Sequence, residues 1–183
     1  SQAGAEIVES TKSTFDQADI IVKVAPLTQE EMNWIKGNQT IISALHLGSQ
    51  EEVFFTNLLK KSATSIAYEF IKGADNEFPL VRMMHEITGS MAVQIAAHYL
   101  ETSDSEEGGQ GIMLGGISGV PPATVAILGA GITAEYAART ALGYGAQVFV
   151  MDNDLTALRR LENALDRRII TAVANEQYLS NAL

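Results

Sequence analysis

The residues best suited to chemistry lie between positions 124 and 152. Gly129, Gly131 and Ala134 form a G-x-G-x-x-A turn, and an acid, Asp152, follows Gly131 by 21 residues. In such a pattern the first glycine permits a tight strand-to-helix turn and the second lets the backbone approach a pyrophosphate. The small third residue keeps the helix close to its sheet. Backbone N–H groups in the first turn of that helix would face the phosphates. The carboxylate of Asp152 is placed to accept hydrogen bonds from ribose hydroxyls. It would also repel a 2′-phosphate, and no arginine follows it directly, so the predicted cofactor is NAD rather than NADP. A Rossmann-like unit whose phosphate site goes unused is the other reading of the same residues.

Three more side chains are candidates. His46 ends an apolar stretch, in the surroundings S-A-L-H-L-G-S, whose small residues leave room for a substrate. It reads either as a proton-handling group or as a satisfied structural histidine. Lys23 lies between apolar residues, either as an edge lysine with a snorkelling stem or as an electrophile for a carbonyl or carboxylate. His85 lies near the start of a long helical pattern that leads toward the glycine turn. No H-E-x-x-H, C-x-x-C, G-K-[ST] or G-x-S-x-G pattern occurs, so zinc peptidase, P-loop NTPase and α/β-hydrolase chemistry lack support. No metal site is expected.

The elements that must position these groups alternate. Residues 125–128 and 148–151 read as buried parallel strands flanking a helix over 135–142. Upstream, strands are predicted at 19–24, 40–45 and 64–68. Thr28 and Glu31 form a capping box for a helix reaching about residue 36. Ser49 is predicted to cap a helix over 50–60, and a long helix spans 80–100. Downstream, 155–164 is a helix with apolar residues at 155, 158, 161 and 165, and 168–173 is a strand. Such alternation predicts an α/β fold with doubly wound, Rossmann-like parallel sheets. A polar, glycine-rich stretch, 104–109, marks a boundary near residue 105. The expected domains are therefore 1–105 and 106–183. Only the first of the two βαβαβ halves of a dinucleotide fold lies within the second domain, which predicts a portion of a longer protein.

Composition narrows the partners. The chain has 183 residues, 46% apolar and 19% charged, with a net charge of −10. That charge argues against nucleic acid or an anionic membrane as partner. There is no cysteine, which excludes disulfides and thiolate metal sites. No apolar run approaches the ~20 residues of a membrane span, and no leader pattern opens the chain, so a soluble cytoplasmic location is expected.

The residues at 111–134, G-I-M-L-G-G-I-S-G-V-P-P-A-T-V-A-I-L-G-A-G-I-T-A, resemble the nucleotide-binding entry of the alanine dehydrogenase and transhydrogenase family. The upstream segments A-D-I-I-V-K-V-A-P (18–26), S-A-L-H-L (43–47), T-S-I-A-Y-E (64–69) and M-H-E-I-T-G-S-M-A-V-Q (84–94) resemble it too. The resemblance implies reversible NAD-dependent oxidative deamination of L-alanine to pyruvate and ammonia, with the substrate between a substrate domain and an NAD domain. It implies that His46 is the proton-handling group and that Gly129 to Thr133 and Asp152 contact the cofactor. It places His85 near the cofactor and implies a homo-oligomer, often a hexamer. Relatives read K-V-K-E-P where this chain reads Lys23-Val24-Ala25-Pro26. The second lysine, which holds the substrate carbonyl, has no counterpart, and Lys23 is the candidate to replace it. A transhydrogenase-like NAD(H)-binding subunit and a non-catalytic NAD-binding or assembly module are the alternatives.

Overall fold

Short apolar strands joined by capped helices cannot bury both faces alone, and here they pair into two parallel three-stranded sheets. The computed structural model describes residues 3–102 and 108–175. Contacts divide the chain into Ser1–Leu80 and Val81–Leu183. The boundary expected near residue 105 lies outside the described residues. The α/β architecture with parallel, Rossmann-like sheets is as the alternation predicts.

The first unit holds α1 (Thr11–Gln17), β1 (Ile20–Val22), α2 (Gln29–Trp34), β2 (Thr40–Ser43), α3 (Glu52–Lys60) and β3 (Thr64–Ala67). Its strand order is β1-β2-β3, with Ile21 opposite Ile41 and Ser43 opposite Ala67. Ile21, Ile41, Phe15, Met32 and Phe54 form the core, and Phe15 meets Trp34 edge-to-face at 5.8 Å between centroids. The opening helix, absent from the sequence reading, is tied down by Gln39. That buried amide donates to the carbonyls of Phe15 (2.9 Å) and Ala18 (2.7 Å). The capping box at Thr28 and Glu31 forms as expected. Ser49 does not cap α3, whose N-cap is Glu51 without a side-chain bond. Its hydroxyl instead donates to the His46 carbonyl at 3.0 Å. A serine hydroxyl that finds a nearby backbone acceptor competes with capping, and the helix starts two residues late.

The second unit carries α4 (Pro79–Leu100, whose first two residues precede the division), β4 (Thr124–Leu128), α5 (Ile132–Gly143), β5 (Gln147–Asp152), α6 (Leu155–Ala164) and β6 (Ile170–Val173). Strands run in the order β4-β5-β6, with Val125 opposite Val148 and Val150 opposite Thr171. Val148, Val150, Ala138, Ala141, Leu158 and Leu161 fill the core. The alanines of α5 let it lie close to the sheet. Asp154 caps α6 by accepting from Thr156 and Ala157 N–H. The last strand begins at Ile170 rather than 168, because Asp166 and Arg167 both adopt positive φ (53° and 55°). Among the described residues no helix is long and apolar enough to cross a membrane.

Candidate functional site

The glycine turn connects the C-terminal end of β4 to α5. Gly129 has φ +101°, a conformation that costs an L-side chain strain and glycine nothing. Its N–H donates to the Met151 carbonyl at 2.7 Å, which anchors the turn to β5. Gly131 is the N-cap of α5 and, having no side chain, gives that terminus no side-chain cap. Ile132 and Thr133 therefore begin the helix itself, three residues earlier than the helix-forming run suggested. A Cβ placed on Gly131 would meet nothing within 4 Å, so the space that its missing side chain leaves is open. The N–H groups of the helix's first turn, the helix dipole and the open space together suit an anion.

Both polar backbone groups of Ala130 are held. Its N–H donates to Asp152 Oδ2 at 2.6 Å, and its carbonyl accepts from Arg160 Nη2 at 2.9 Å. Asp152 Oδ1 accepts from the Asp154 N–H at 2.8 Å. Hydrogen bonds from the N–H groups of Asp154, Ala130 and Asn153 hold the Asp152 carboxyl below its ordinary value against partial burial. An ionised carboxylate thus stands at the end of β5, in a hollow of about 470 Å³ shared with Gly129, Met151 and Ala174.

A larger groove, of about 540 Å³, is lined by Gly129, Gly131, Ile132 and Thr133 on one side and by His85, Ala92 and Ala96 of α4 on the other. The approach of α4 to α5 depends on Gly89, where a Cβ would stand 2.2 Å from the Thr133 carbonyl oxygen. Beside it the Tyr136 hydroxyl bonds to Glu86, and that carboxylate raises the phenol above its ordinary value. His85, exposed on α4, is thereby brought to the wall of the groove that the glycine turn lines.

The first unit places His46 three residues beyond the end of β2, with φ 46° and ψ 49°. A left-handed histidine costs about 1–2 kcal/mol, so something must hold it. The N–H groups of Leu45 and His46 both donate to Glu69 Oε1 at 2.8 Å, and the His46 carbonyl accepts from the Ser49 N–H at 2.9 Å. Burial would raise the Glu69 carboxyl, but backbone hydrogen bonds and the nearby His46 bring it below its ordinary value. His46 itself is exposed. Lys23 follows β1, and its ammonium bonds to Glu31 Oε2 at 2.5 Å, the same oxygen that accepts the Thr28 N–H of the capping box. Burial would raise the Glu31 carboxyl, yet Lys23 and Thr28 lower it. In this structure the ammonium of Lys23 is engaged with that helix cap. Among the described residues no group of His, Asp or Glu could hold a metal ion.

Residues 1–88 match the family model "Alanine dehydrogenase/PNT, N-terminal domain", and residues 92–183 match "Alanine dehydrogenase/PNT, C-terminal domain". The chain belongs to the alanine dehydrogenase/PNT family. The resemblance drawn from the sequence motifs therefore holds along both units. An alanine dehydrogenase of Methanococcus maripaludis is 38% identical over 181 residues, covering 99% of this chain and 48% of the relative. A solved L-alanine dehydrogenase superposes with a TM-score of 0.83 at 33% identity, over 99% of this chain and 49% of that one. The transhydrogenase of Sinorhizobium meliloti, at 21% identity and a TM-score of 0.69 over 94% of this chain and 48% of that one, shares the fold. The chain spans about half the length of the relatives it matches.

Sequence reasoning missed Glu69, Arg160 and Gly89. A glutamate after a strand, an arginine on an amphipathic helix and a glycine within a helix carry no spacing signal. Only the helix-interior glycine, unfavourable there, hinted at a close approach.

Proposed function

We propose that this protein is an NAD-dependent alanine dehydrogenase, reversibly converting L-alanine to pyruvate and ammonia. The observation that carries the proposal is the family match along both units to relatives of that name, with His46 present beyond the end of β2. The fit to NAD is supported by the open space at Gly131, the uncapped N-terminus of α5 and the ionised Asp152. Gly131, Ile132 and Thr133 at the start of α5 would hold the pyrophosphate, since the N–H groups of Gly129 and Ala130, expected from the family resemblance to join them, are engaged by Met151 and Asp152. Asp152 would take the ribose hydroxyls, with His85 at the groove wall. NAD, when bound, supplies the hydride acceptor for the amino-acid Cα. His46 would take a proton as water adds to the resulting imine and return one as ammonia leaves, which suits an imidazole near neutral pH. Lys23 would turn from Glu31 toward the substrate carboxylate or carbonyl.

The proposal extends to self-association, a hexamer by family likeness, and to a cytoplasmic location. Exposed Met84, Ile87, Met91 and Ile95 on α4 support further contacts. The test is alanine-dependent NADH formation by the full-length protein, with the His46→Gln variant expected to lose about 100-fold or more in kcat. NADH binding without any alanine-dependent turnover would refute it. That outcome would favour a transhydrogenase-like subunit or a non-catalytic NAD-binding module, a reading helped by the engagement of Lys23 with Glu31.

A further inference from the structure

Glu69 lies in a short 3-10 turn, Tyr68–Phe70, directly after β3. The β2–β3 register pairs Ser43 with Ala67, and two residues further on the same register sets Glu69 opposite Leu45. One oxygen of its carboxylate accepts both the Leu45 and the His46 N–H, each at 2.8 Å. Successive backbone N–H groups converge on one anion when the chain passes into the left-handed region, forming a nest. His46 has that conformation. The other carboxylate oxygen is buried and has no hydrogen-bond partner among the described residues, so beyond its own backbone N–H the carboxylate is tied to the Leu45 and His46 N–H groups. His46, by contrast, is exposed, and its backbone conformation fixes where the side chain leaves the main chain.

We infer that Glu69 is a positioning residue for His46, its carboxylate filling the Leu45–His46 nest and fixing the left-handed turn that aims the imidazole. The inference rests on the reading of His46 as the proton-handling group. It deepens that reading by naming what holds the histidine in place. Glu69 touches no reacting atom and acts only through the backbone.

The test uses the full-length protein and the variants Glu69→Ala, Glu69→Gln and His46→Gln. The measurements are amide hydrogen exchange over residues 44–49, kcat and KM for alanine, and NADH affinity. In Glu69→Ala the exchange of Leu45 and His46 should quicken about tenfold or more, the loss expected for charged hydrogen bonds. Its kcat should fall by a similar factor, with KM and NADH affinity within about twofold, because losing the two backbone hydrogen bonds leaves the glycine turn untouched. Glu69→Gln keeps an acceptor at the Oε1 position and should restore most of both losses. Unchanged exchange in Glu69→Ala overturns the inference, as does a Glu69→Gln variant no better than Glu69→Ala. Full turnover by His46→Gln would remove the histidine's role and with it the catalytic meaning of the clamp. The exchange measurement would still report the nest itself, so the two failures are told apart.

Discussion

Replacing Gly89 by alanine tests the contact between α4 and α5 on which the groove depends. The new Cβ would stand 2.2 Å from the Thr133 carbonyl oxygen, 3.0 Å from the Ala137 nitrogen and 3.0 Å from Tyr136 Cβ. Ordinary contact begins near 3.4 Å, so the helices must part by about 1.2 Å at this point. Two of the three atoms are backbone and cannot swing aside. Overpacking costs about 1–3 kcal/mol, and a clash this close belongs at the upper end. Alanine returns about 1 kcal/mol of helix propensity over glycine. The expected net loss is therefore about 2 kcal/mol in the second unit. Thr133 lies in the first turn of α5, so NADH affinity should also fall, by about tenfold, or about 1.4 kcal/mol. Gly131→Ala gives the opposite signature. Its φ of −77° suits alanine and its Cβ meets nothing, so stability should hold or rise by about 0.5 kcal/mol. Its NADH affinity should nonetheless collapse, because the methyl fills the space that a pyrophosphate needs. Urea unfolding followed by far-ultraviolet circular dichroism reads both units, and the fluorescence of Trp34, the single tryptophan, reads the first. Calorimetric titration gives the affinities. A Gly89→Ala protein more stable than the parent would show propensity unopposed and would refute the close approach.

Other outcomes follow from the same structure. The ammonium of Lys61 donates to the carbonyls of Met32, Asn33 and Ile35 at 2.8–2.9 Å, closing the end of α2. Lys61→Met should cost the first unit about 2 kcal/mol, read from Trp34 fluorescence in urea; an unchanged midpoint would show that the cap contributes nothing. Glu31 and Glu69 both have folded-state values lowered from 4.5, so their stabilising effect is complete above that pH and is lost as pH falls through the lower folded values. Acid titration of the first unit should show stability draining only below 4.5, with Glu69→Gln flattening part of the slope; a stability loss beginning near neutrality would contradict the sign. NADH should bind at least about tenfold more tightly than NADPH, and preference for NADPH in calorimetry would sink the assignment of Asp152 to the ribose.

The sequence by itself determined whatever is written within a few residues. Alternating apolar runs and turn residues specified six strands and most helices, because strand and helix periods are local properties of the chain. Thr28 and Glu31, three positions apart, were legible as a capping box, and the glycine turn was legible as a strand-to-helix turn that ends beside Asp152. Local signals also misled. Ser49 had the type and place of an N-cap, and its hydroxyl went to the His46 carbonyl instead. Only the tertiary structure decided which of the 22 acidic side chains meets which backbone group. Glu69 reaches Leu45 across 24 positions, and Arg160 reaches Ala130 across 30. Such partners are generic residue types without a local signature, and they meet because parallel strand register and the docking of α6 bring distant positions level. The same holds for Gly89, whose missing side chain has meaning only once α5 lies against it.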